Sequence, residues 1–146
     1  MSQPKRVSPA EAQQLVEQGW TFLDVRSEPE FADEHPAGAF NVPLMHMGPT
    51  GMTPNPDFVA VVEASFAKDA QLVLGCRSGG RSLRALQMLQ QRGYANLVDQ
   101  RAGFEGARDA FGGNVEPGWK PAGLPTERGD GGERGYAALA RALHGA

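Results

Sequence analysis

Short apolar runs alternate with helix-like patterns along most of the chain. Residues 21–25 and 71–75 are apolar segments of strand length, which are typical of buried strands. Apolar side chains recur at helical spacing in residues 8–19, 58–66 and 82–92, and the first of these segments opens with a Ser-Pro-Ala-Glu capping box. Strands that alternate with helices predict an α/β fold in which helices flank a central, mainly parallel sheet.

The intervening segments carry weaker patterns. Residues 27–31 can form one helical turn, and residues 40–43 and 96–98 are candidates for short strands. Residues 44–54 are rich in Met, Gly and Pro, so we predict a loop there. A further helix is predicted over residues 104–111.

The last part of the chain has a different composition. Residues 126–133 are polar and rich in glycine, as flexible linkers are. A weak amphipathic stripe then predicts a short helix, and its members are Tyr136, Leu139, Ala140 and Leu143. The sequence therefore predicts one domain over residues 1–125, followed by a Gly-rich linker and a short C-terminal helix over residues 126–146.

Composition narrows the possible functions. The chain has 146 residues, enough for one domain with an ordinary core, and its net charge of −3 argues against a nucleic-acid partner. No apolar run is long enough to cross a membrane and no signal peptide is visible, so we expect a cytoplasmic protein with no membrane partner. One cysteine and three widely separated histidines provide no metal or redox pair, so we expect no metal and no cofactor.

The most informative segment follows the strand predicted at residues 71–75. Cys76-Arg77-Ser78-Gly79-Gly80-Arg81 is a polar loop between that strand and a helix that begins near Ser82. Ligands of open α/β sheets bind beyond the carboxyl ends of the strands, where this loop lies. Two glycines allow the backbone to turn several N–H groups inward, while the helix N-terminus and two arginines add positive charge. The loop is therefore predicted to bind an anion.

A thiolate is itself an anion, so the same features predict that Cys76 is ionised and nucleophilic at neutral pH. Other interpretations remain open. Cys76 could be a buried, inert thiol, which is the commonest state of a free cysteine. The side chains of Arg77 and Arg81 could be surface charges or partners of local carboxylates.

With these segments identified, the sequence resembles the single-domain rhodaneses, a family of sulfurtransferases. The similarity runs from about Val7 to Thr126 and depends on an ordered set of segments. These are Leu23-Asp24-Val25-Arg26, Glu30-Phe31, His35 to Pro43, Gly51 to Phe58, Gly75 to Ser82, and Trp119 to Pro125. The resemblance implies the rhodanese-like three-layer α/β domain.

The resemblance also implies a chemistry. In that family, the cysteine that matches Cys76 accepts a sulfane sulfur from thiosulfate or a related donor, becomes a persulfide, and passes the sulfur to cyanide or a thiol. The expected partners are thus a small anionic sulfur donor and an acceptor that is cyanide, a thiol or a protein. The implied substrate-binding loop consists of Arg77, Ser78, Gly79, Gly80, Arg81 and Ser82. Because the chain has no second cysteine, the sulfur must leave to an external acceptor.

Two alternatives to a sulfurtransferase stay open. The domain could be a rhodanese-like binding or sensing module without turnover, although an intact Cys76 and both loop arginines favour an enzyme. It could instead be a phosphatase or an arsenate reductase, but those related proteins have one more residue between the cysteine and the arginine. The shorter loop from Cys76 to Arg81 resembles the sulfur-transferring form.

Asp24 and Arg26 come at the end of the strand predicted at residues 21–25. They could flank the substrate pocket, or they could form a structural ion pair that braces the following loop. His35 is predicted to stabilise a turn rather than to transfer protons, because chemistry that starts from a thiolate does not need a general base.

Overall fold

The structure is a computed structural model that describes residues 3–108, 111 and 113–143. Its strands are β1 Arg6–Val7, β2 Thr21–Asp24, β3 His35–Pro36, β4 Phe40–Asn41, β5 Met45–Gly48, β6 Gly51–Pro54, β7 Leu72–Gly75, β8 Leu97–Gln100, β9 Gly106–Arg108, β10 Asn114–Pro117 and β11 Thr126–Glu127. Its helices are α1 Pro9–Glu17, α2 Glu28–Asp33, α3 Phe58–Ser65, α4 Gly80–Gln91 and α5 Tyr136–Leu143, and a 3-10 turn spans Gly132–Arg134.

Five strands form the central sheet in the order β1-β8-β7-β2-β4. Every neighbouring pair in this sheet is parallel. Parallel neighbours cannot be joined by a tight turn, and helices provide the longer connections, with α1 after β1, α3 before β7 and α4 between β7 and β8. The prediction of an α/β fold with a mainly parallel central sheet is confirmed.

The side chains of β7 alternate between two apolar clusters on opposite faces of the sheet. Leu72 and Leu74 belong to the cluster that α3 and α4 cover, whereas Val73 belongs to the cluster that α1 covers. A sheet that is buried on both faces needs strands that are apolar throughout, which explains the continuous apolar run at residues 71–75. Helices on both faces complete the three layers.

The first helix begins as its sequence predicts. The N–H of Glu11 donates to the hydroxyl of Ser8 at 3.2 Å, and the N–H of Ser8 donates to the Glu11 carboxylate at 2.9 Å. This capping box satisfies two N–H groups that have no partner inside the helix.

Residues 45–54 form a β-hairpin, so the prediction of a loop over residues 44–54 is wrong. β5 and β6 pair in antiparallel fashion, with Met47 opposite Met52 and Gly48 opposite Gly51. Most of the hairpin is exposed. Its strands therefore lack the alternation of buried and exposed positions by which a strand is recognised in a sequence.

The predicted helix over residues 104–111 is also wrong. Residues 101–105 form turns, and β9 then pairs in antiparallel fashion with β10. Gly103 and Gly106 have φ angles of 72° and 135°. A right-handed helix cannot continue through such conformations, which glycine adopts readily. Residues 109 and 110 lie outside the described part of the chain.

The segment after residue 125 contacts the rest of the domain. β11 pairs with β3, and the predicted apolar stripe lies on α5, where Tyr136, Leu139 and Leu143 pack against the cluster under α3 and α4. The side-chain amide of Asn55 also donates to the Tyr136 hydroxyl at 3.2 Å. The division of the chain at residue 125 stays a prediction, and residues 144–146 are not described.

Candidate active site

Cys76 lies directly after β7, at the carboxyl end of the parallel sheet. α4 begins at Gly80, two residues before the start predicted near Ser82. The residue before the helix, Gly79, has a φ of 104°, a left-handed conformation that glycine adopts without strain. This early turn brings the first N–H groups of α4 back toward Cys76.

Two backbone N–H groups converge on the sulfur of Cys76. The backbone nitrogen of Gly79 lies 3.1 Å from Sγ and that of Ser82 lies 3.3 Å from it, and both N–H groups donate to the sulfur. The Ser82 hydroxyl is also 3.3 Å from Sγ, in position to accept from the thiol. Cys76 is only 3% exposed. Because N–H donors and the positive end of a helix dipole favour negative charge, the arrangement suits a thiolate.

Residues 103–105 brace the loop from the side of β8. The N–H of Phe104 donates to the carbonyl of Cys76 at 2.7 Å, and the N–H of Glu105 donates to the carbonyl of Arg77 at 2.9 Å. A Cβ atom at Gly103 would collide with the carbonyl group of Arg77, so this close approach of two backbones requires glycine. The loop is thus fixed through its carbonyl groups while its N–H groups are directed at Sγ.

Arg81, in the first turn of α4, forms a bidentate ion pair with Glu30 of α2. The two nitrogen–oxygen distances are 2.8 and 3.0 Å, and Ser27 donates to Glu30 as well. Burial alone would raise the pKa of Glu30, but the hydrogen bonds from Arg81 and Ser27 outweigh it and lower the pKa to about 2. The pair is therefore ionised at neutral pH.

We expect Glu30→Gln to destabilise the protein at neutral pH by about 1–3 kcal/mol, because it leaves the half-buried Arg81 without its counter-ion. The folded state lowers the pKa of Glu30, so the stabilisation is present above the unfolded value near 4.5 and is lost as pH falls toward 2. In urea unfolding at a series of pH values, wild type should lose stability between about pH 5 and pH 2 more steeply than the variant.

The matched control for this prediction is Glu63→Gln. Glu63 also pairs with two cations, Lys68 and Arg92, but on the surface. Solvent screens such pairs, so we expect a much smaller change in stability. If wild type and Glu30→Gln showed the same dependence of stability on pH, the ion pair with Arg81 would not have the role assigned to it.

Arg77 points to the exposed side of the loop, where it forms an ion pair with Glu105. Both loop arginines therefore have carboxylate partners, as one interpretation of the sequence allowed. Ser78 and Gly80 are exposed. A guanidinium carries five N–H donors, so an ion pair does not occupy all of them. Within the described chain, however, the groups that donate to Sγ belong to the backbone.

Asp24 and Arg26 form a buried ion pair at the end of β2, with 2.8 Å between Nη2 and Oδ2. Arg26 also donates to the carbonyl of Glu34 at 2.7 Å, so the pair braces the segment that contains α2. This arrangement agrees with the structural interpretation of Asp24. The guanidinium carbon of Arg26 also lies 4.4 Å from the ring centroid of Phe104, and Arg26 lines the cleft described next.

A cleft of about 250 Å³ opens beside the loop. Its lining residues are Arg26, Glu30, Asp33, Met47, Arg77, Phe104, Glu105 and Lys120. The lining contains three cationic side chains and three carboxylates, so it carries no large net charge. A small anion in the cleft would therefore depend on nearby N–H groups rather than on a strongly positive field.

His35 lies away from the cleft and holds two segments together. It is fully buried, and its ring stacks on Phe31. One ring nitrogen lies 2.7 Å from the Phe31 carbonyl and the other 2.9 Å from the Glu127 carboxylate. These contacts agree with the structural role predicted for His35.

The family model for the rhodanese-like domain matches residues 8–110 of this chain. The chain belongs to the rhodanese-like domain family. Thiosulfate sulfurtransferase 16, chloroplastic, from Arabidopsis thaliana is 40% identical over 124 residues, which cover 85% of this chain and 93% of that protein. Senescence-associated protein DIN1 from Raphanus sativus is 38% identical over 101 residues, which cover 69% of this chain and 55% of that protein.

Solved structures agree with the rhodanese-like assignment. The crystal structure of Rv0390 from M. tuberculosis has a TM-score of 0.72 to this chain at 26% identity, and the match covers 88% of this chain and 100% of that one. The resemblance to the rhodanese family is therefore confirmed.

A cytoplasmic location stays a prediction, because the Arabidopsis relative is chloroplastic by name. Within residues 3–143, as far as they are described, no helix has the length and apolar character needed to cross a bilayer.

Proposed function

We propose that this protein is a sulfurtransferase in which Cys76 carries sulfane sulfur from thiosulfate, or a related anionic donor, to cyanide or a thiol. The observation that carries the proposal is the convergence of the Gly79 and Ser82 N–H groups on Sγ, at 3.1 and 3.3 Å. These donors lie at the N-terminus of α4 and stabilise a thiolate without a general base. Similarity to a named thiosulfate sulfurtransferase supports the same chemistry.

In the first half-reaction, the Cys76 thiolate attacks the outer sulfur of thiosulfate. A new S–S bond forms to Sγ while the S–S bond of thiosulfate breaks, and sulfite leaves with the bonding electron pair. Charge that develops during this displacement is stabilised by the N–H groups of the loop. Since Arg77 and Arg81 are already paired with carboxylates, we expect the backbone to contribute more to binding than these two side chains.

In the second half-reaction, the acceptor attacks the outer sulfur of the Cys76 persulfide. The S–S bond to Sγ breaks, Cys76 leaves as a thiolate, and the product is thiocyanate or a new persulfide on the acceptor. Cys76 is the only cysteine of the chain, so the acceptor must come from outside it. A cleft of about 250 Å³ beside the loop is large enough for a small acceptor, and a protein acceptor would have to present its own thiol there.

The test of this proposal is steady-state turnover of the purified protein with thiosulfate and cyanide. We expect thiocyanate to form with ping-pong kinetics, because the enzyme carries the sulfur covalently between the two half-reactions. Hydrolysis of an aryl phosphate should not exceed that of Cys76→Ala. Absence of thiosulfate-dependent thiocyanate would exclude this sulfurtransferase activity, and hydrolysis of the phosphate that requires Cys76 would favour a phosphatase.

A further inference from the structure

The guanidinium of Arg26 has N–H groups that the described part of the protein does not use. Nε and Nη2 donate to the carboxylate of Asp24, and Nη2 also donates to the carbonyl of Glu34. These bonds use the donors of two nitrogens, whereas Nη1 makes no hydrogen bond with any residue that the structure describes. The side chain is only 5% exposed, so it is a buried cation with donors to spare.

These spare donors reach the cleft beside the cysteine loop. Asp99 Oδ1 is the one fully buried side-chain nitrogen or oxygen that lacks a hydrogen-bond partner in the described part of the chain. Nη1 of Arg26 is therefore in contact with open space, and Arg26 lines the cleft of about 250 Å³ together with Arg77. Both residues lie at the same end of the sheet, because Asp24 of β2 pairs in parallel with Gly75 of β7 and each follows its strand by two residues.

Phe104 holds the guanidinium of Arg26 in place. The centroid of its ring lies 4.4 Å from the guanidinium carbon, and its N–H donates to the carbonyl of Cys76 at 2.7 Å. Phe104 thus contacts both the guanidinium and the backbone of the nucleophile. A guanidinium that is stacked on a ring and paired along one edge keeps its orientation, so little conformational entropy is lost when its remaining donors bind a ligand.

The other two cations of this cleft are weaker anchors for an anion. The side chains of Arg77 and Lys120 are more than half exposed, and both pair with carboxylates at the surface. Water and salt screen such side chains. The donors of Arg26 are shielded by the protein, where a hydrogen bond to an ionised oxygen is stronger than in water. Because Asp24 offsets the charge of Arg26, binding would depend on directed N–H groups.

We propose that Arg26 is a specificity-determining residue whose Nη1 binds an oxyanion, a sulfonate or a carboxylate, on the small compound that reacts at Cys76. A donor such as thiosulfate carries a sulfonate next to the sulfur that is attacked, and an acceptor thiol can carry a carboxylate. Compounds with such a group therefore react in preference to neutral compounds of the same shape. This inference rests on the proposed function in taking Cys76 as the attacking thiolate.

The test compares two alkylating reagents of similar shape, iodoacetate and iodoacetamide, of which only the first carries an oxyanion. The Cys76 thiolate displaces iodide from either reagent, and intact mass follows the reaction because Cys76 is the only cysteine. Both reagents consume the same thiolate, so the ratio of their rate constants does not depend on how far the thiol is ionised. We expect Arg26→Lys, which keeps a cation beside Asp24 but has no Nη1, to lower the iodoacetate-to-iodoacetamide ratio about tenfold.

Arg84→Lys is the matched control for Arg26→Lys. Arg84 is an exposed arginine of α4, so the same substitution there should leave the ratio within about twofold of the wild-type value. An unchanged ratio in Arg26→Lys, or an equal fall in both variants, would overturn the proposal.

Steady-state kinetics of Arg26→Lys distinguishes the two sources of the oxyanion. A higher KM for thiosulfate would assign Nη1 to the sulfonate of the donor. A higher KM for mercaptoacetate, without a change for its neutral amide, would assign Nη1 to the carboxylate of the acceptor. Unchanged KM values for both anions would overturn the proposal.

If Arg26→Lys does not fold, the guanidinium NMR resonances of Arg26 in the wild-type protein decide. Methanesulfonate should shift them saturably and the neutral methanesulfonamide should not, whereas equal shifts, or no shift with methanesulfonate, would overturn the proposal. Neither alkylation nor this titration involves sulfur transfer. A wild-type protein without thiosulfate turnover would therefore exclude the proposed function and leave both results interpretable.

Discussion

Replacing Cys76 with serine is expected to lower thiosulfate-dependent thiocyanate formation by about 10³-fold or more. A serine hydroxyl is not ionised at neutral pH, and an oxygen atom in this position cannot form a persulfide. The substitution nevertheless keeps an acceptor for the N–H groups of Gly79 and Ser82, which donate to Sγ in the native loop. Turnover at saturating thiosulfate measures the loss.

Thermal unfolding of the Cys76→Ser protein is the control for this substitution. Since the side chain keeps its shape and its hydrogen bonds, the midpoint should change by no more than a few degrees, which separates a chemical defect from an unfolded protein. A well-folded Cys76→Ser protein that retained more than about a tenth of wild-type turnover would show that sulfur is not carried on this residue.

Replacing Gly79 with alanine is expected to lower both the free energy of unfolding and the turnover. Gly79 has a φ of 104°, and a Cβ atom there would collide with the carbonyl oxygen of Arg101. Relief of that collision, together with the positive φ, is expected to displace the backbone at Gly79, whose N–H donates to Sγ. We expect a loss of about 2–4 kcal/mol in the free energy of unfolding and of about 10²-fold in turnover, measured on the same preparation.

Gly93→Ala is the matched control for Gly79→Ala. Gly93 lies just beyond the other end of α4 with a φ of 96°, yet a Cβ atom there meets nothing within 4 Å. The variant carries the same kind of backbone strain, about 1–2 kcal/mol, without a collision and far from Sγ. Turnover should stay near that of wild type. If both variants lost turnover equally, the geometry around Gly79 would not be what matters for activity.

The local part of the candidate site is predictable from sequence. A buried strand, a cysteine, two glycines and a helix follow one another within about 20 residues, so their pattern alone places Cys76 at a helix N-terminus. Only the start of the helix differs from the prediction near Ser82, because the left-handed turn at Gly79 lets α4 begin at Gly80. Ser82 therefore stands in the first turn of α4, where its N–H reaches Sγ.

The long-range contacts could not be predicted in the same way. Glu30 and Arg81 are 51 positions apart, and Arg6 and Asp99 are 93 positions apart, so no local pattern signals either pair. The sequence predicts a helix over residues 104–111, which overlaps the brace at residues 103–105, because Phe104 and its neighbours match helical spacing. Gly103 and Gly106 were the available signals, since both adopt positive φ angles.

The central claim is that Cys76 carries the sulfur, and the most direct measurement is the intact mass of the protein after treatment with thiosulfate. We expect an increase of one sulfur atom that fragmentation locates on Cys76, that cyanide removes with release of thiocyanate, and that Cys76→Ser does not acquire. A wild-type protein that gains no sulfur, or a Cys76→Ser protein that gains as much as wild type, would contradict the account.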